Sequence, residues 1–462
     1  MNNRMLFDEF LGKIIKTYIS KRPKSERLHK EARHFTPGGD TRKVTFYRPF
    51  PAFMERGEGC RLYDVDGYVY MDFLNNSLSL IHGHAHPKVV EAVIEQAKRG
   101  SVYGAPAESL IKLAQIICDR LPSAEKVTFC SSGTEATIWA IRYARAYRKK
   151  YKVVKFEGGF HGNHDLVRVS IKPTLEKAGP IEKPNSVPED FSVPPSVIND
   201  CVIAPFNKGA IAERIISQHK EDLAAVIVEP IQGACGMIPA DPVFLKGVRE
   251  VTSKYKIPLI FDEVMSFRMS RGGCQEIYSV VPDITALGKI IGGGYPVGAI
   301  AGREEILDLF SPLNDTALSH SGTFYGNPIT MAAGVATMEE LTVSKIDRIN
   351  KLGEKLRIHF NNVFEEVGII AQVTGMGSVA QIHFIKEEIK DWRSVSTERV
   401  DIITMLHLLL MDRGIFPSKM CMFNISTPMS EKEINDARTA LKDCLIELRP
   451  YIEKAAPELI YR

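Results

Sequence analysis

The stretch Pro282-Asp283-Ile284-Thr285-Ala286-Leu287-Gly288-Lys289-Ile290-Ile291-Gly292-Gly293-Gly294-Tyr295-Pro296-Val297-Gly298 joins a short apolar strand, Ile284 to Leu287, to one lysine and a run of glycines. Three consecutive glycines let the backbone pass close to a bulky neighbour, with no Cβ in the way. Lys289, held between an apolar strand and that loop, has its ammonium where charge is poorly solvated. Desolvation favours the neutral amine, which is the form that attacks a carbonyl. Two plainer readings stay open from this stretch alone: a surface lysine at a strand end, or a glycine-rich phosphate cradle. Tyr295-Pro296 interrupts the glycine run and no helix opens from it, which weighs against the cradle.

Upstream, Pro258-Leu259-Ile260-Phe261-Asp262-Glu263-Val264 reads as a buried parallel strand ending in two carboxylates. In open α/β sheets the carboxyl edge of the strands is where ligands bind. A buried aspartate calls for a cationic partner, and the protonated ring nitrogen of a pyridine is one. Further back, Phe129-Cys130-Ser131-Ser132-Gly133-Thr134-Glu135-Ala136 reads as a strand, a small hydroxyl-bearing turn and a helix start. Backbone amides, hydroxyls and the positive helix end at Ser131, Ser132, Gly133 and Thr134 all favour a phosphate. Lysine, strand-end aspartate and phosphate turn together describe a site for pyridoxal 5′-phosphate. Lys289 forms the Schiff base, Asp262 keeps the ring nitrogen protonated, and the turn anchors the phosphate.

From about residue 87 to 330, short apolar strands alternate with helical patterns, which calls for an α/β fold: a mostly parallel sheet with helices on both faces. Residues 50–75 alternate as a meander of strands with a hairpin turn at Asp66-Gly67. At the start, Leu6, Phe7, Phe10, Leu11, Ile14, Ile15 and Tyr18 form a helical apolar stripe over residues 1–33. That stripe suits a neighbouring domain or subunit, or else a membrane surface. Residues 171–196 carry six prolines and form no regular element, so they make a lid or excursion. His82-Gly83-His84-Ala85-His86-Pro87 lacks the carboxylate or cysteine that would complete a metal site, and no metal is expected.

Hydrophobic residues make up 44% and charged residues 25%, and the net charge is +3, too balanced to argue for nucleic acid or a membrane surface. No apolar run approaches the roughly 20 residues of a membrane span. Eight scattered cysteines with no C-x-x-C pair favour free thiols in a reducing compartment, and the N-terminus lacks the apolar core of a signal peptide. A cytoplasmic enzyme is expected.

The ordered set SSGTEA, FHG, VEPIQG, FDEVM, PDITALGKIIGGGYPVGAI and GTFYGNP resembles the class III (subgroup II) pyridoxal-phosphate aminotransferases from about residue 35 to the C-terminus. The resemblance implies a fold-type-I transferase. Its parts would be an N-terminal arm with small-domain strands (1–75), a large cofactor-binding domain (76–331) and a smaller C-terminal α+β domain (332–462). By the same resemblance, Phe160 and Val264 face the two sides of the cofactor ring and His161 sits beside it. Glu229 helps order the site and Gln232 hydrogen-bonds the phenolic oxygen. Thr323 reaches the phosphate of the neighbouring subunit, so the active sites require a homodimer.

The segment Pro37-Gly38-Gly39-Asp40-Thr41-Arg42 resembles one in the β-amino-acid aminotransferases, where the arginine grips the substrate carboxylate. In the same direction, Met265-Ser266-Phe267-Arg268 follows Val264 without the glycine of the ornithine and 4-aminobutyrate enzymes. The arginine that many relatives use for an α-carboxylate is not found in Gly375-Met376-Gly377-Ser378-Val379. The expected activity is amino transfer from a carboxylate-bearing amine, a β-amino acid among them, to a keto acceptor. The alternatives are a glutamate-1-semialdehyde 2,1-aminomutase, which GKIIGGGYPVGAIAGR and GTFYGNP also resemble, and a racemase on the same scaffold. Gln232, at a position where the aminomutase carries a small apolar residue, speaks against the first alternative.

Overall fold

The computed structural model describes residues 3–314 and 318–461. The N-terminal stripe becomes two helices, Asn3–Lys21 and Pro23–Ala32. Pro23 makes the division, because proline fits the first position of a helix but not its interior. Leu6 and Tyr18 are buried in two core clusters; Phe7 and Phe10 pack on that of Leu6, and Leu11 and Ile14 pack on both. The first helix lies against the helices Val400–Asp412 and Glu431–Ala455. The chain's own helices therefore cover the stripe.

Strands β1 (Met54–Glu58), β2 (Arg61–Asp64) and β3 (Val69–Asp72) form the expected antiparallel meander. The carboxylate of Asp66, in the turn between β2 and β3, accepts from the amides of Lys24 and Ser25 at 2.7 and 3.0 Å, docking the turn on the start of the second helix.

Next come β4 (Lys126–Cys130), β5 (Lys152–Phe156), β6 (Cys201–Ala204), β7 (Leu223–Val228), the short hairpin pair β8 (Ile231–Gln232) and β9 (Ile238–Pro239), then β10 (Leu259–Asp262), β11 (Ile284–Gly288) and β12 (Gly298–Gly302). Seven of these build the central sheet in the order β4-β12-β11-β10-β7-β5-β6. β12 alone runs antiparallel to its neighbours β11 and β4, so the remaining strands share one direction. β7, β10 and β11 are buried along their whole length. A parallel sheet covered on both faces demands such unbroken apolar runs. The helix Gly133–Arg148 packs across β7, β11 and β12.

After the helices Pro328–Glu340 and Val343–Val367 the chain adds β13 (Gln372–Thr374), β14 (Val379–His383), β15 (Ile415–Phe416) and β16 (Met422–Asn424). β13, β14 and β16 form an antiparallel sheet, while β15 pairs with β3 and so joins the two ends of the sequence. The proline-rich residues 171–196 hold only two four-residue helical turns, Leu175–Ala178 and Pro195–Ile198. An isolated bridge between Val169 and Pro188 closes the excursion at its base.

Candidate active site

The site lies along the carboxyl edge of the central sheet, where consecutive neighbours β11, β10, β7 and β5 deliver Lys289, Asp262, Glu229 and the Gly158–His161 loop. Val228 pairs with Phe261, so Glu229 and Asp262 emerge at the same level of adjacent strands. Asp262 is 5% exposed. Its Oδ2 lies 2.9 Å from Nδ1 of His161, and its Oδ1 accepts the amide of Val264 at 3.1 Å. Each carboxylate oxygen retains a free lone pair for a further donor. His161 is 1% exposed, and burial holds its imidazole below the ordinary range against the pull of Asp262. It is therefore neutral, with the Nδ1 proton directed at Asp262.

Glu229 accepts from the amides of Phe160 at 2.8 Å and Gly233 at 3.2 Å. Burial, and next the charge of Asp262, raises its carboxyl above the usual range. Lys289 follows β11 with φ at 51°, in the left-handed region, as the first residue of a short 3₁₀ turn to Gly292. Its ammonium is pushed down by burial and held up in part by Asp262 and Glu229. A lysine with a lowered pKa beside two carboxylates is an amine that both attacks a carbonyl and takes up a proton. Among the described residues its Nζ makes no hydrogen bond, so that amine is free to react.

At β4 the turn Ser131–Thr134 opens the helix Gly133–Arg148. The Ser132 hydroxyl accepts the amide of Glu135 at 3.1 Å, and Glu135 in turn accepts the amide of Ser131 at 2.6 Å. The amides of Gly133 and Thr134 lie in the first helical turn, where no intrahelical acceptor exists, and they suit an anion. This turn is pressed against the lysine strand. A Cβ on Gly133 would stand 2.9 Å from Cγ1 of Val264, and one on Gly288 would meet the same atom at 3.3 Å. The two glycines let Val264, the phosphate turn and Lys289 share one cavity wall. His161 Nε2 is buried without a partner. A reactive amine, a strand-end carboxylate, an anion turn and a glycine-thinned wall are what pyridoxal 5′-phosphate requires, and the residues fit it.

The structure brings Lys289, Asp262, Glu229, Val264, Ser131–Thr134, Phe160 and His161 to this edge. Gln232 is buried beside them. Its Nε2 donates to the Glu157 carbonyl at 2.9 Å and its Oε1 lies 3.1 Å from the Cys235 thiol, leaving one Nε2 hydrogen unused. Thr323 is exposed, with no hydrogen-bond partner among the described residues. Arg42 is exposed, and its guanidinium reaches Oδ1 of Asn76 at 2.7 Å. The GHAHP segment is the entry turn to the helix Pro87–Arg99, with His84 on Asp72 at 2.7 Å. No group that could hold a metal ion occurs among the described residues.

Three features escaped the sequence. Glu157, at the end of β5, is 3% exposed and takes two hydrogen bonds from Arg393, at 2.7 and 3.1 Å; Arg393 also donates to the Gly179 carbonyl of the excursion at 2.8 Å. Asn75, Asn76, Ser77 and Leu78 all have positive φ, from 45° to 72°, making one left-handed turn that presents Asn76 to Arg42. Such residues cost roughly 1–2 kcal/mol each unless fixed by their surroundings, and Asn75 is fixed by Asp72 and Asn424. Finally, Arg268 is wholly buried on Ser378, Asn424 and Ile425, and burial lowers its guanidinium to about 9. The Asn-Asn pair before Ser77 was the one available signal, since asparagine tolerates left-handed backbone.

Comparison with known proteins agrees with this geometry. The pattern of the class-III aminotransferases matches residues 45–444. The glutamate-1-semialdehyde 2,1-aminomutase of Methanothermobacter thermautotrophicus is 39% identical over 92% of this chain and 100% of its own length. An omega-transaminase from Sphaerobacter thermophilus superposes with a TM-score of 0.89 and 40% identity, covering 92% of this chain and 98% of the other. A beta-phenylalanine aminotransferase from Variovorax paradoxus gives 0.86 and 31%, over 96% and 98%. With fold, strand-end residues and sequence in agreement, the chain belongs to the class-III aminotransferases, enzymes of the fold-type-I group that work with pyridoxal 5′-phosphate.

Proposed function

We propose that the enzyme moves an amino group within one small carboxylate-bearing molecule, the 2,1 shift for which the glutamate-1-semialdehyde aminomutases are named. The observation that carries this is the aminomutase likeness at 39% identity, which spans 92% of this chain and all of that protein. An internal shift proceeds as two half-transfers, and the intermediate must stay in place between them. The excursion 171–196 supports such retention. Trp392 Nε1 donates to the Pro173 carbonyl at 3.1 Å and Arg393 to Gly179, which tie the excursion to the segment that also bonds Glu157.

When bound, pyridoxal 5′-phosphate supplies a protonated ring that withdraws electrons from the carbon bearing the amine. Lys289 Nζ would hold the cofactor, and as a base the same amine would move the proton to and from that carbon. Asp262 keeps the ring nitrogen protonated, and His161 orients Asp262 through Nδ1. Glu229 fixes the Phe160 backbone, and the Phe160 ring and Val264 would flank the cofactor ring. Gln232 offers its spare hydrogen to the phenolic oxygen, and Ser131, Ser132, Gly133 and Thr134 hold the phosphate. Arg42 grips the substrate carboxylate.

Thr323 completes the phosphate site of a second copy of this chain. Exposed apolar side chains in the adjoining sequence, Leu318 and Phe324, give that homodimer an apolar surface to bury. All eight cysteines are free, which suits a reducing compartment, and the cytoplasm is the compartment proposed.

A second reading, transfer between two molecules with a β-amino acid as donor, is favoured by Gln232 and by the omega-transaminase likeness at 40% identity. The cofactor-loaded enzyme should isomerise glutamate-1-semialdehyde with no second substrate. Strict dependence on a keto acid, with β-phenylalanine consumed stoichiometrically, would overturn the internal shift in favour of the second reading.

A further inference from the structure

Gln232 sits at the end of β8, and the turn that leads from it to β9 is anchored at both ends. At the start of the turn the Gly233 amide donates to Glu229 at 3.2 Å. At its far end the Gly236 carbonyl receives the hydroxyl of Thr374, from β13, and lies 3.1 Å from Nε2 of His383, the last residue of β14. Thr374 Oγ1 and His383 Nε2 are themselves 2.9 Å apart. On the other side of the ring, His383 Nδ1 meets the Glu398 carboxylate at 2.7 Å, and the two side chains are 0% and 4% exposed. Gly236 has φ at 139°, and a Cβ on it would stand 2.9 Å from Cε1 of His383. The imidazole is therefore pressed directly on the turn.

Between these anchors, Cys235 directs its thiol at Oε1 of Gln232 at 3.1 Å. Burial, and next the charge of Glu229, push that thiol up, so it stays protonated and donates. A thiol that donates to the amide oxygen, and a Glu157 carbonyl that accepts from the amide nitrogen at 2.9 Å, leave Gln232 one orientation and one free N–H. A shift at Gly236 carries Cys235 with it and takes away the donor that fixes the Gln232 oxygen. Buried polar chains hold a unique geometry only when every member is satisfied. Glu398, His383, Thr374 and Gln232 all meet that condition, with no buried polar atom of theirs left unpartnered.

We propose that His383 is a positioning residue for the cofactor: held by Glu398 and paired with Thr374, it pins the Gly236 carbonyl and, through Cys235, aims the free N–H of Gln232 at the phenolic oxygen. The C-terminal sheet thereby sets a hydrogen bond at the carboxyl edge of the central one. The role assigned to His383 rests on the reading that Gln232 faces that oxygen, and on nothing further about the reaction.

The test follows the absorbance of the cofactor-loaded enzyme, so its outcome is independent of whether the enzyme is a mutase or a transaminase. That absorbance titrates with pH, and a donor to the phenolic oxygen shifts the midpoint. Gln232→Leu sets the shift that follows loss of the donor. His383→Phe and Thr374→Val should each move the midpoint in the same direction, by at least about half as much. His383→Gln, whose amide still offers a donor to the Gly236 carbonyl, should keep most of the original value. Adding Gln232→Leu to His383→Phe should shift it no further, because both act through one bond. An unshifted midpoint in His383→Phe and Thr374→Val, whatever stability they lose in urea, overturns the role and leaves His383 a strut. If His383→Phe does not fold, Thr374→Val alone decides. Additive shifts in the double variant also overturn it, since His383 then acts by another route. No shift in Gln232→Leu removes the phenolic contact and the role of His383 together, whereas a shift in Gln232→Leu alone removes only the role of His383.

Discussion

Replacing Arg393 by methionine removes the only cation bonded, among the described residues, to the Glu157 carboxylate, which is 3% exposed. The methionine keeps most of the aliphatic stem, so the loss is one of charge and hydrogen bonds rather than volume. Stripping one partner from a buried pair leaves an uncompensated charge and costs about 3–5 kcal/mol. The lost donation to the Gly179 carbonyl adds about 1 kcal/mol. Removing both charges in Glu157→Gln/Arg393→Met leaves no stranded carboxylate, so the double variant should cost less than the two single variants added together, by about 1–3 kcal/mol of coupling. Urea denaturation followed by tryptophan fluorescence reads this directly, because Trp392, one of two tryptophans in the chain, is the adjacent residue.

The function should follow the fold. Glu157 passes its carbonyl to Gln232 and its C-terminal neighbours to Phe160 and His161, so Arg393→Met should lower kcat/KM as well. A cost below about 1 kcal/mol, the range of an exposed ion pair, would refute the clamp. Full stability loss with an intact rate would refute its link to the site.

Two other outcomes are expected. Ser77→Gly, at φ 56°, should stabilise the chain by about 1 kcal/mol by relieving left-handed strain, and should lower kcat/KM for carboxylate-bearing substrates as Asn76 loosens under Arg42; a destabilised variant in the same urea assay contradicts the strain. Burial lowers His82 and His164 to about 4 and His407 to about 3. In the unfolded chain they titrate near 6.5, so between about pH 6.5 and 4 the unfolded state binds the extra protons. Stability then falls with falling pH, by about 1.4 kcal/mol per pH unit for each histidine. His407→Phe should flatten that slope in urea titrations at pH 6.5, 5.5 and 4.5, and an unchanged slope speaks against a neutral buried His407.

The parts of the site visible in the sequence are those in which an apolar strand and its turn are contiguous: Ile284 to Lys289, Leu259 to Asp262, and Phe129 to Thr134. There the pattern of residues is itself the local structure. The direction of β12 was not legible, because Gly298–Gly302 is a small apolar run that would suit either orientation. Arg393 and Glu157 lie 236 positions apart, and Arg268 lies 110 positions from Ser378. Partners at such separations leave no mark on local periodicity. The left-handed turn at Asn75–Leu78 is fixed from outside by Asn424, so its own residues describe it poorly. His383 looks like any core histidine until β14 brings it onto the Gly236 carbonyl.

The central claim is that the amine of Lys289, its ammonium pushed down by burial and held up in part by Asp262 and Glu229, carries the cofactor. Borohydride reduction of the cofactor-loaded enzyme, followed by peptide mass mapping, tests it most directly. The cofactor mass should appear on the peptide containing Lys289 and on no other. Lys155 is the natural control, being a second lysine whose ammonium is lowered by burial, but one bound to the Val169 carbonyl at 2.6 Å. Label on Lys155, or on any lysine other than Lys289, would contradict the assignment.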